Sequence, residues 1–250
     1  GAIAMQTVAK APADGYTLLL FSSSLWVLPL MKDVPWDTLR DFAPIILAAS
    51  APNVMVVHPA LPVKSVRELV ALAKAKPGDL NYASGNAGTS NHLAAELFKS
   101  MAGVNLTRIP YKGGAPAISD LVGGQVQLMF GASLAVAQHV QSGRLRALAV
   151  TSAKPSALAP GLPTVAEAGV PGYEITAWGG YMAPAGVPAV LITRLNQEVL
   201  KAMGDVRVRE RLTSQGLIPA PGTPEQLGAF IRDDTKRWEA VIKAINFKMD

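Results

Sequence analysis

The sequence predicts an α/β protein built as two lobes, each a β-sheet flanked by helices. Three observations lead there. Short apolar or β-branched runs alternate with helical patterns across short turns, the signature of sheets crossed over by helices. Two stretches, IILAASAPNVMVVHPALP (45–62) and GYEITAWGGYMAPAGVP (172–188), stay extended far beyond an ordinary loop and contain no helix pattern. The 250 residues are 50% hydrophobic and only 16% charged, enough apolar material for one large core or two smaller ones. Two long extended connections suggest two lobes joined twice. Residues 1–50 and 179–250 then form the first lobe, and residues 51–178 the second. Such a hinge is expected to leave a cleft, the usual home of a small ligand.

The expected strands are 17–21, 45–49, 53–57, 80–83, 107–109, 126–130 and 146–151, in a mostly parallel sheet. The expected helices are 65–75, 91–101, 115–122, 134–141, 189–203, 206–215 and 224–245, with a further short helix at 164–168. Ser65-Val66-Arg67-Glu68 and Thr223-Pro224-Glu225-Gln226 are capping boxes, in which a hydroxyl and an acid or amide satisfy first-turn N–H groups reciprocally. Pro224 suits the first helical position, where a missing N–H costs nothing. Asp205 is placed to cap the helix that follows it. Gly103, Gly123 and Gly143 each follow a helix and suit a left-handed end.

Composition excludes several chemistries. There are no cysteines, so thiolate catalysis, disulfides and cysteine-based zinc sites are all absent. Three scattered histidines without a spacing motif predict no metal site and no cofactor. The net charge of +5 is mild and unclustered, which argues against a nucleic-acid partner. The longest apolar stretch, 16–30, is interrupted by Ser22-Ser23-Ser24 and Pro29 and falls short of the about 20 residues a span needs. The opening GAIAMQTVAKAPADGY lacks a signal-peptide pattern, and Gly1 reads as something other than a native start.

The most informative stretch is NYASGNAGTSNHLAAELF (81–98), a strand that breaks into small polar residues before an amphipathic helix. Gly85 and Gly88 let the backbone turn. The following helix offers unpaired N–H groups and a positive dipole end, and Ser84, Asn86, Thr89 and Ser90 add polar groups. No Walker lysine follows and the third glycine of the dinucleotide fingerprint is missing. Anion binding and a plain capped turn both fit. A small hydrolase using Ser90 and His92 is an alternative, although no G-x-S-x-G elbow or orienting acid is present. PYKGGAPA (110–117) is a second glycine-marked turn, with Lys112 and Gly113 able to face an anion or solvent. FSSS (21–24) in the first lobe offers Ser22 and Ser23, and FGAS (130–133) in the second offers Ser133. Trp178, in the second long connection, suits a cleft wall or the core.

Taken in order, APADGYTLLL (11–20), YASGNAGTSNHLAAELFKSMAG (82–103), IPYKGGAPAISDLVGGQVQLMF (109–130), SGRLRALAVTSAKPS (142–156), LPTVAEAGVPGYE (162–174), MAPAGVPAVLITRLNQEV (182–199) and GTPEQLGAFIRDDTKRWEAVIKA (222–244) resemble one family. This is the Bug or TctC family, the substrate-binding proteins of tripartite tricarboxylate transporters. The resemblance implies a type II periplasmic-binding-protein fold (a Venus flytrap) and a periplasmic location. It also implies a small carboxylated ligand held partly through bridging waters, delivery to membrane permease subunits, and no chemistry on the ligand. It places the Ser84–Ser90 loop on the cleft. Against the family pattern the first lobe is expected to lack its N-terminal strands and ligand loop, which would impair binding and leave the 17–21 strand with an apolar open edge. An acidic residue is also replaced by Gly131. The architecture is equally that of an effector-binding lobe of a transcription regulator, a further alternative.

Overall fold

The computed structural model describes residues 1–244. Residue 245 of the expected last helix, and residues 245–250 of the expected first lobe, lie outside the described residues. The chain divides into two compact units, residues 1–50 with 178–250, and residues 51–177. It passes from one to the other inside two strands, β2 (Phe42–Val57) and β7 (Thr176–Pro184). The two long extended segments of the sequence are these strands. Residues 45–49 and 53–57, expected as separate strands, are parts of one.

The first unit contains α1 (Ala2–Ala9), β1 (Leu19–Ser22), the one-turn helix α2 (Ser24–Val27) with a 3-10 turn after it, and the first part of β2. Most of β7 follows, then α7 (Ala189–Gly204), α8 (Val206–Ser214), the short β8 (Ile218–Pro219) and α9 (Pro224–Ala244). Here the strands run in the order β1-β7-β2, with β8 on β2. β1 pairs antiparallel with β7, Ser22 opposite Gly179. Alternate residues of β1 are buried (Leu19, Phe21), while Leu20 is 68% exposed. Ile45, Ile46, Ala183, Val187 and Met203 form one cluster of the core. A second is aromatic: the Trp26 ring meets Phe21 and Phe230 edge-on, and Phe230 meets Trp178. The buried Trp26 indole donates to Asp234 Oδ2 at 2.7 Å. Burial raises the Asp234 carboxyl above its ordinary range, and that bond opposes the rise.

The second unit contains the end of β2, α3 (Val66–Ala75), β3 (Asn81–Ser84), α4 (Ser90–Ala102), β4 (Thr107–Pro110), α5 (Gly114–Val122), β5 (Leu128–Ala132), α6 (Ser133–Gln141) and β6 (Arg146–Val150). β3 lies parallel to both β4 and β5. β2 enters between β5 and β6 and runs antiparallel to both. The expectation of a mostly parallel sheet is therefore corrected. β2 arrives directly as a strand, without the helical crossover that would force it parallel. Val54, Val56, Leu121, Met129, Val136 and Val150 fill one face of this sheet. Phe98, Phe130 and Tyr173 pack together, with Tyr173 Oη donating to Ala94 O.

Local signals behave as their chemistry dictates. Gln226 N donates to Thr223 Oγ1 at 3.2 Å while Gln226 Oε1 accepts from Thr223 N at 2.8 Å, a closed capping box. At α3, Ser65 Oγ accepts from Glu68 N, but the Glu68 carboxylate takes the N–H of Lys64 and not that of Ser65. Asp205 accepts from Arg207 N. Gly103 and Gly143 are left-handed, whereas after α5 it is Gly124 (φ 73°), not Gly123, that turns. Residues 164–168 form a single turn locked by reciprocal Thr164–Glu167 bonds and not a helix.

Gly180 marks the tightest approach in the first unit. A Cβ there would run into the backbone carbonyl of Ile46 on the neighbouring strand. Backbone cannot swing aside as a side chain does. Gly180→Ala is therefore expected to destabilise this unit by about 3 kcal/mol. Chemical denaturation followed by tryptophan fluorescence measures it; an unchanged midpoint would show that β7 and β2 lie farther apart.

Candidate functional site

The strand order of the second unit selects one place. Its strands run β6-β2-β5-β3-β4. From β3 the chain goes through α4 to β4 on one side. From β5 it goes through α6 to β6 on the other. Neighbouring strands whose connections diverge form a switch point, and ligands of α/β sheets sit outside the carboxyl ends of the strands there. Those ends carry the loops 84–90 and 132–133. The loop after β4, with Lys112 and Gly113, opens on the same edge because β4 is parallel to β3.

Three helices begin at this edge: α4 at Ser90, α5 at Gly114 and α6 at Ser133. None is capped by the side chain of the residue before it, although within α4 the His92 N–H is taken by Asn91 Oδ1 at 3.0 Å. First-turn N–H groups have no intrahelical acceptor, so this edge collects partial positive charge. Gly88 (φ 76°) and Gly113 (φ 148°) take backbone conformations that other residues rarely adopt.

The loop is fixed by groups that point back into the unit. Arg108, on β4 opposite Tyr82, donates from Nε to Ser84 Oγ at 2.7 Å and from Nη2 to Gly85 O at 2.9 Å. The Asn86 carbonyl lies 2.6 Å from Thr89 Oγ1 and accepts from Thr89 N at 3.3 Å. The Ser84 carbonyl accepts from Tyr111 N. The backbone carbonyl oxygens of Ser84, Gly85 and Asn86 are thus turned onto the protein's own donors.

His92 supports the loop from beneath. Its ring is fully buried, and Nδ1 accepts from Gly88 N at 3.2 Å. Burial first, then the nearby Arg108 and Lys99 cations, hold its pKa down at about 3. The neutral ring is what the Gly88 bond requires. Lower on α4, Glu96 is buried, accepts from Tyr82 Oη, and pairs with Lys99 Nζ at 2.9 Å. Burial and the Glu96 charge raise the Tyr82 phenol far above its ordinary value, so it acts as a donor.

The residues expected from sequence separate by unit. Gly85, Asn86, Gly88, Thr89, Ser90, Lys112, Gly113 and Ser133 all lie at the switch-point edge with Ser84. Ser84 is buried under Arg108, and buried Ser133 donates to Pro52 O at 2.8 Å, so both hydroxyls hold backbone in place. Asn86 and Lys112 are exposed. Ser22, Ser23 and Trp178 belong to the first unit. There the β1–β7 register places Trp178 just beyond the Ser22–Gly179 pair. Ser22 Oγ lies 2.7 Å from Ser24 Oγ, Ser23 is buried, and Trp178 is half-buried against Phe230. His92, fully buried and accepting from Gly88, is not disposed as a base for Ser90. Gly131 is close-packed, since a Cβ there would collide with Val136. Among the described residues no group of three or more His, Asp or Glu is gathered as a metal site, and no helix is long and apolar enough to cross a membrane. Arg108, which holds this loop through Ser84 and Gly85, was not among the residues singled out from the sequence.

Two sheet-and-helix units joined by two strands define the type II periplasmic-binding-protein class of fold. The chain belongs to the tripartite tricarboxylate transporter receptor family, whose model matches residues 1–247. It is 38% identical over 252 residues to protein BugT of Bordetella pertussis, covering all of this chain and 77% of that protein. Among solved structures it is similar to R. palustris Rpa4515 with adipate, at TM-score 0.91 and 38% identity over 99% of this chain and 84% of that one. It also resembles MatC (Rpa3494) from Rhodopseudomonas palustris with bound malate, at TM-score 0.86 and 27% identity over 96% of this chain and 84% of that one.

The depressed pKa of His92 fixes a pH dependence. The unfolded ring binds a proton near pH 6.5 and the folded ring only near 3, so stability is lost as pH falls through that window. The loss is about 1.4 kcal/mol per pH unit well inside it. Wild type is expected to lose more stability between pH 6.5 and 5 than His92→Gln does. Equal slopes in urea titrations at the two pH values would show that His92 is solvated.

Proposed function

We propose that this chain is an extracytoplasmic receptor that captures a small carboxylated metabolite and hands it to the membrane permease of a tripartite tricarboxylate-type transporter. The observation that carries this reading is the edge at residues 84–90. Three uncapped helix N-termini converge there, and the loop's carbonyls are turned away onto Arg108, Thr89 and Tyr111. Such a surface favours a carboxylate and gives a neutral or cationic group little to hold. Adipate and malate, bound in two related structures, are ligands of this chemistry. The close-packed Gly131 brings no carboxylate to the end of β5.

Capture here involves no bond breaking. The imidazole of His92 is buried and neutral, and its Nδ1 accepts from Gly88 N and is not offered to Ser90 as a base. Ser90 instead opens α4 and contributes its backbone N–H. Lys112 is proposed to add a cation at this edge, and Ser22, Ser23 and Trp178 are proposed as ligand-binding residues within the first unit. Periplasmic location and release to permease subunits are proposed for this chain, with its membership of a transporter-receptor family in support.

Differential scanning fluorimetry with adipate, malate and citrate tests the reading. A bound ligand at one hundred times its Kd stabilises the folded state by about 2.7 kcal/mol, a readable rise in Tm. The expected result is a concentration-dependent rise with at least one of the three, with the ligand recovered unchanged. No rise with any of them up to 10 mM (~10 mM is the top of useful affinity for a receptor) would contradict it.

A further inference from the structure

Among the cations of the second unit, Arg108 stands apart. It is half-buried, and no carboxylate lies within ion-pair distance of it among the described residues. Lys99, which also lies beneath the loop, is matched by Glu96. Arg146 likewise donates to carbonyls, those of Leu61 and Val63, but it starts β6 and therefore lies at the opposite edge of the sheet. Arg108 alone brings an unmatched guanidinium to the carboxyl ends of β3 and β4. Two of its nitrogens are committed to Ser84 Oγ and Gly85 O. No bond is recorded for Nη1 among the described residues. A partly desolvated guanidinium without an anion is costly, and a carboxylate is the partner its geometry fits best.

We propose that Arg108 is the fixed counter-charge of the ligand site, a positioning and specificity residue whose positive charge is neutralised when a carboxylate binds at residues 86–90. The inference rests on the reading of this loop as a carboxylate site. It assigns two tasks to one side chain. By holding Gly85 O and Ser84 Oγ inward, Arg108 keeps acceptors off the ligand-facing surface. By remaining unpaired, it makes the site select for charge and not merely for hydrogen-bonding shape. The ligand therefore completes an ion pair that the folded protein leaves half-made.

The test uses the full chain and whichever of adipate, malate or citrate binds tightest. Titration calorimetry and apo Tm are measured for wild type, Arg108→Lys and Arg108→Gln. Lysine keeps the charge and loses the two-point geometry. Glutamine keeps a donor and loses the charge. Arg108→Gln is expected to weaken binding by about 10- to 100-fold and to lower the apo Tm by several degrees, since it also releases Gly85 O and Ser84 Oγ. Arg108→Lys is expected to stay within about 5-fold of wild type and to keep the wild-type salt dependence of affinity. Binding by Arg108→Gln equal to wild type would overturn the inference and leave the site reading intact. Equal loss of affinity in Arg108→Lys and Arg108→Gln would also overturn it, since loss of the loop's anchor without any role for the charge behaves that way. If wild type binds none of the three ligands, the site reading fails and this inference fails with it.

Discussion

The β3–α4 loop keeps its shape because its carbonyl oxygens are held from below. Arg108 takes Gly85 O, the Thr89 N–H and hydroxyl take Asn86 O, and Tyr111 N takes Ser84 O. A backbone turn of this length could as easily direct acceptors to solvent, and it would then repel an anion. The buried donors decide the matter. They leave the N–H groups of Asn86, Ala87 and Ser90, at the start of α4, for a ligand.

The rest of the second unit serves this arrangement. β4 lies beside β3 in parallel register, so Tyr82 stands opposite Arg108 and the guanidinium reaches the end of β3. Buried His92 stays neutral and accepts from Gly88. Buried Glu96 is charged and is met by both Tyr82 and Lys99. A buried acid without those partners would cost several kcal/mol, which is why they occur together on one helix and the strand beneath it. The divergence of connections between β3 and β5 then brings the starts of α4 and α6 to the same edge.

Much of this could be read in the residues. The amphipathic spacing of α3, α4, α7 and α9 and the Ser65 and Thr223 caps identify those helices. Gly85, Gly88 and Gly113 identify the two loops. Strand order was not legible, because it depends on which edges meet in space. Nothing local in residues 45–57 says that one strand runs through both units and enters the second antiparallel. The one-turn α2 is buried nearly all round and so has no amphipathic period to betray it. Arg108 sits in a four-residue strand, TRIP, where a lone arginine reads as solvent-facing. Only the register with Tyr82 shows that it reaches under the neighbouring loop. Ser84 and Ser133 were legible as residues at strand ends, but their hydroxyls are spent on Arg108 Nε and on the Pro52 carbonyl.

An anion at this edge is proposed to meet the backbone N–H groups of Asn86, Ala87 and Ser90, because those of Gly88 and Thr89 are already taken by His92 Nδ1 and Asn86 O. Nitrogen-15 chemical-shift mapping during titration with adipate or malate tests this. The largest amide shifts are expected at Asn86, Ala87, Ser90 and Gly113, with the Arg108 Nε–H resonance moving in step. Saturable shifts that leave residues 84–90 unmoved would contradict it.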